Sequence, residues 1–116
     1  MTTINNITIP MHTAASFVVE EAKKLQATLA LAKARNIIDQ REYESTAMFL
    51  LRTADMCKAI TEEKIAMIDY YAEQLDKISS EKQAYIENGL EKAAQLNQNT
   101  FKNFFGWMSE LEKAMI

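Results

Sequence analysis

The chain is predicted to be all-α, an elongated helical bundle or antiparallel coiled-coil hairpin of three to four helices. Its 116 residues include two glycines and one proline, the residues that normally punctuate turns. The strong helix formers Ala, Glu, Lys, Leu, Gln and Met dominate the composition. Apolar residues also recur at spacings of three and four over long stretches, the period of one helix face. This length suits one domain, expected over residues 13–116.

Residues 1–12 read as an extended or disordered lead-in, in which Ile4, Ile7 and Ile9 could add a short strand and Pro10 marks the approach to a helix. The first helix is expected over 13–37, where Val18, Ala22, Leu25, Leu29 and Ala32 form one stripe. Glu20, Lys23, Lys24, Lys33 and Arg35 occupy the other side, so this helix has one face to bury. Asp39 followed by Glu42 has the form of a capping box and opens a second helix over 40–87. Its seam runs through Tyr43, Ala47, Leu50, Ala54 and Cys57, then Ile65, Ile68, Ala72 and Leu75, with Thr61 bridging a stutter. Unbroken, it would be ~70 Å long. Ser79 with Ser80, or Asn88 with Gly89, are the places where it would bend or fold back. Short helices over 90–97 and 100–115 complete the reading. The structural seam is thus Val18, Leu25, Leu29, Tyr43, Leu50, Ile65, Ile68 and Leu75.

A formal net charge of -3 is too slight to capture nucleic acid or to mimic it. Cys57 is the sole cysteine, so no intramolecular disulfide can form, and a cytoplasmic setting is the default. No basic segment precedes an apolar block as in a signal peptide. Between residues 20 and 92 the longest uncharged run, residues 25–32, is far short of the ~20 apolar residues that span a bilayer.

No catalytic, cofactor-binding or metal-binding constellation is legible. His12 has no partner histidine or cysteine, and no Glu-x-x-His pair is present to build a bundle metal site. Cys57 falls on the apolar seam with no histidine to activate it, which reads as a structural thiol. Glu62, Glu63, Asp69, Glu73 and Asp76 sit with Lys64 and Lys77 on what should be a solvated face. Gly89 and Gly106 are isolated, so no phosphate loop exists.

The segment from Phe101 onward stands out, because Phe101, Phe104, Phe105, Trp107, Met108, Leu111, Met115 and Ile116 crowd into its 16 positions. Three roles are open to it: capping the chain's own bundle, anchoring a partner protein or second copy, or resting on a membrane surface. The partner-binding candidates are Phe101, Phe104, Phe105, Trp107, Met108 and Leu111. An acidic, amide-rich polar face with only Lys102 and Lys113 as cations argues against anionic lipid.

Residues 37–92 resemble the long-helix coiled-coil accessory proteins encoded by tailed phages and prophages. A polar cap leads there into a motif like Gln-x-x-Tyr-x-x-Ala, matched by Gln40, Tyr43 and, one place displaced, Ala47. The proline that often marks the hairpin turn of that group is absent here. The resemblance implies a factor in the host cytoplasm that inhibits a host nuclease or antiviral defence system by contact. Residues and resemblance together lead to a non-enzymatic protein-binding protein, expected as a homodimer or larger homo-oligomer. A structural or assembly-chaperone subunit and an amphipathic membrane- or granule-surface protein are the other readings.

Overall fold

The computed structural model describes the backbone of residues 2–115 and the side chains of residues 11–115. The expectations placed on Ile4, Ile7, Ile9 and Ile116 side chains lie outside the described residues. Among the described residues five helices follow one another: α1 (Thr2–Ala34), α2 (Gln40–Thr61), α3 (Ile65–Glu81), α4 (Gln83–Leu96) and α5 (Gln98–Met115). No strand occurs among the described residues.

α1 is helical through residues 2–12, where an extended lead-in is expected. Ile4, Ile7, Met11, Ala14 and Val18 continue the heptad backward at spacings of three and four, a period that outweighs the single Pro10. Ala14 and Val18 are buried and Met11 packs on the core. The helix ends in a Schellman turn: Asn36 is left-handed at φ 59°, its N–H donates to Lys33 O at 3.0 Å, and the Ile37 N–H donates to Ala32 O at 2.9 Å. The Asp39 capping box then opens α2, with Asp39 Oδ1 accepting from the Glu42 N–H at 2.8 Å and Glu42 Oε1 accepting from the Asp39 N–H at 2.9 Å.

The expected 40–87 helix is three helices, and the elongated shape gives way to a compact globule. At residues 62–64 a second Schellman turn forms, with the Glu63 N–H on Ile60 O at 3.1 Å and the Lys64 N–H on Ala59 O at 2.9 Å. What reads as a stutter is therefore a stop. Glu63 holds the left-handed position at φ 56° without being glycine or asparagine. Glu63→Gly is therefore expected to raise stability by about 0.5–1 kcal/mol, measured as a higher urea midpoint at constant m-value. The second interruption is at Lys82, φ −121°, two residues past the serine pair. Asn88 and Gly89 lie inside α4 rather than at an end. Asn97 Oδ1 accepts from the Thr100 N–H at 3.2 Å and caps α5.

The molecule measures 50 × 27 × 19 Å, with a radius of gyration of 14.4 Å against ~13 Å expected for a compact domain of this size. α1, with 33 residues and ~50 Å of helix, is as long as the greatest extent. α1 touches both α5 and α2, α2 in turn touches α3, and α4 is in contact with all four. Of the expected seam, Val18, Leu25, Leu29 and Leu50 are fully buried. Tyr43, Ile68 and Leu75 pack on the core from partly exposed positions. Ile65 is 67% exposed, because the turn at 62–64 places it at a helix start beside solvent.

Candidate functional site

The aromatic C-terminal segment is divided by its own helix. Phe104 and Leu111 point into the core at 0% and 1% exposure, so neither is available to a partner. Phe101, Trp107 and Met108 are half-buried against that core. Phe105 is exposed, and its ring meets Phe101 at 4.7 Å and Phe104 at 5.0 Å between centroids. At ~100° per residue Phe101 and Phe105 fall on one edge of the buried stripe and Trp107 on the other. The six candidates therefore do not make one patch.

Trp107 instead finds a partner outside its segment. Its ring stacks on Phe17 of α1 with centroids 4.3 Å apart and planes 13° from parallel. Phe17 is 39% exposed, so one side of this pair is open to water. Sequence reasoning passed over Phe17 because it falls one place off the seam set by Val18. The signal that could have found it is a bulky aromatic on the helix side otherwise marked by Glu20 and Lys24, where nothing apolar is needed.

A concavity of about 590 Å³ opens where the N-terminal part of α2 meets the α3–α4 bend. Met48, Ile78 and Tyr85 supply its apolar walls, and Arg41, Lys82, Glu44 and Glu81 its charges. Arg41 Nη1 donates to the Tyr85 hydroxyl at 3.3 Å, an interaction that holds the guanidinium pKa above its usual value. Behind it, Asn88 Nδ2 donates to Glu42 Oε2, so Glu42 serves both the α2 cap and the α4 contact. Gly89 lets α4 come against Thr46, whose hydroxyl donates to Tyr85 O at 3.4 Å. Two cations and two carboxylates leave this cleft without net charge, and no nucleophile is paired with a base in it.

Cys57 is fully enclosed, and burial pushes its thiol up to about 12, which keeps it protonated and unreactive at neutral pH. His12 is partly buried, and its Nε2 has no hydrogen-bond partner among the described residues. Also among them, no three His, Cys, Asp or Glu side chains converge to hold a metal ion, and no helix is long and apolar enough to cross a membrane. Comparison with protein families, with curated proteins and with solved structures finds no match to this chain.

Proposed function

We propose that this chain is a non-enzymatic helical protein-binding protein that captures a macromolecular partner along its α1–α5 edge. The observation that carries this reading is the Phe17–Trp107 stack, packed flat, half in the core and half in water. Large aromatic side chains held in place before contact lose little rotamer freedom on binding, which is why such residues dominate interface energetics. The resemblance of residues 37–92 supports a fuller form: a phage or prophage accessory factor that modulates or inhibits a host nuclease or antiviral defence complex.

Trp107 is the sole tryptophan, so its emission reports this surface directly. With the partner captured from host lysate and then purified, titration is expected to shift that emission to the blue. Phe17→Ala is expected to weaken capture by about 30-fold or more, the range of a binding hot spot, while helicity and melting stay near wild type because the side chain is already partly in water. Capture that survives Phe17→Ala unchanged would remove the stack from the binding surface.

A further inference from the structure

The cleft between α2 and the α3–α4 bend holds polar groups that the fold itself does not use. Ser45 lines it at 9% exposure, and its hydroxyl makes no hydrogen bond among the described residues. A buried hydroxyl without a partner carries a desolvation cost that a bound acceptor offsets. Beside it the helical ladder is broken at Lys82. The Lys82 N–H donates to Ile78 O at 2.9 Å and the Ile86 N–H to Lys82 O at 3.0 Å, while Lys82 offers no side-chain cap to the first turn of α4. The amides of residues 83–85 are thus left open at the positive end of a 14-residue helix, and Lys82 and Tyr85, which bracket them, both line the cleft. Arg41 and Lys82 add two cations and Glu44 and Glu81 two carboxylates, all four exposed. Arg41 donates to the Tyr85 hydroxyl and Glu44 accepts from Gln40 Nε2 at 2.6 Å, yet none of the four charges forms an ion pair among the described residues. Opposite charges that share a cleft without meeting remain available to a ligand that carries both.

We propose that this cleft binds a short peptide with free termini and apolar side chains, its carboxylate held at Ser45, Lys82 and the open amides of α4 and its ammonium at Glu44 and Glu81. Charge selects the class. The cleft has no net charge, so a ligand with one carboxylate and one ammonium keeps the balance, whereas phosphate or a nucleotide would set its negative charge against two glutamates. Burial separates the two ends. Ser45 is enclosed and Glu44, ~100° away on the same helix, stands in water, so the hydroxyl donor lies inside and the carboxylates at the mouth. Met48, Ile78 and the Tyr85 ring supply the apolar wall for the side chains. The volume of about 590 Å³ falls within the roughly 300–1,000 Å³ of small-ligand clefts.

In nuclear magnetic resonance of the isotope-labelled full chain, the dipeptide Leu-Leu is expected to shift the amides of Ser45 and residues 83–85 saturably, with a dissociation constant on the order of 0.1–1 mM. Its N-acetyl derivative lacks the ammonium and its C-terminal amide lacks the carboxylate, and each should bind about 10-fold more weakly or worse. Ser45→Ala removes only the hydroxyl and places a stronger helix former in α2, so helicity should hold while affinity falls about 10-fold. Lys82→Gln should weaken binding of Leu-Leu and of its N-acetyl derivative alike, since it touches the carboxylate end alone. Absence of saturable shifts at these amides well above that concentration range would overturn the proposal, as would a Ser45→Ala chain that binds like wild type. Either blocked derivative binding as tightly as Leu-Leu, or inorganic phosphate binding more tightly, would overturn the assigned ligand class.

Discussion

Phe104→Ala is expected to cost about 3–5 kcal/mol, the range for emptying a fully enclosed phenylalanine site. Phe104 has no exposed surface and is the bulkiest of the fully buried side chains. It belongs to the same buried cluster as Val18, Ala22, Leu25 and Leu111, so its loss opens a cavity where α5 is seated. Domains of this size are held by about 5–15 kcal/mol, and at ~4 °C per kcal/mol the melting midpoint should fall by roughly 12–20 °C in thermal circular dichroism. Phe105→Ala next to it should cost about 1 kcal/mol or less, since that ring is 37% exposed. Equal midpoints for the two variants would mean that α5 is not seated through Phe104. Truncation after Asn99 removes Phe104 and Leu111 together, and is expected to unfold the chain rather than leave a helical remainder.

Gly89→Ala should also destabilise, although alanine is the better helix former by ~1 kcal/mol. A Cβ at residue 89 would lie 2.9 Å from Thr46 Cβ and closer still to Thr46 Oγ1. Thr46 is fully buried and β-branched, so it has no free rotamer to retreat into, and α4 must lift from α2. The net loss is expected at about 1–3 kcal/mol, read from urea unfolding. Gly106→Ala supplies the opposite sign: nothing lies within 4 Å of its added Cβ, and stability should rise by up to ~1 kcal/mol. In the double variant Thr46→Ala with Gly89→Ala, the combined loss should be smaller than the sum of the single losses, because the first change removes the hydroxyl and methyl that the second strikes.

What was legible in the sequence was whatever depended on local period. The all-helical class, the burial of Val18, Leu25, Leu29 and Leu50, and the Asp39–Glu42 cap all rest on residues within a few positions of one another. What was missed depended on backbone states or on distant chain. Glu63 ends α2 in a left-handed conformation that side chains other than glycine and asparagine rarely take, so no turn residue announced it. Asn88 and Gly89 resemble a helix terminus in isolation, and only the arrival of Glu42 and Thr46 from α2 shows them to be a crossing point. The split of the aromatic segment has the same origin, since the wheel of α5 marks a broad apolar face but cannot say where on it α1 lies. Phe17, far away in sequence, decides that.

α3 differs from every other helix in burying none of its residues completely. It touches α2 and, more slightly, α4, and it is bounded by the turn at 62–64 and the bend at Lys82. In the language of partial unfolding it is the element whose opening exposes the least enclosed apolar surface, so its amides belong at the low end of the free-energy ladder reported by hydrogen exchange. Its amides are therefore expected to exchange ahead of those in α1, α2, α4 and α5, with Ile68, Tyr71, Ala72 and Leu75 as the contacts that must part for it to open.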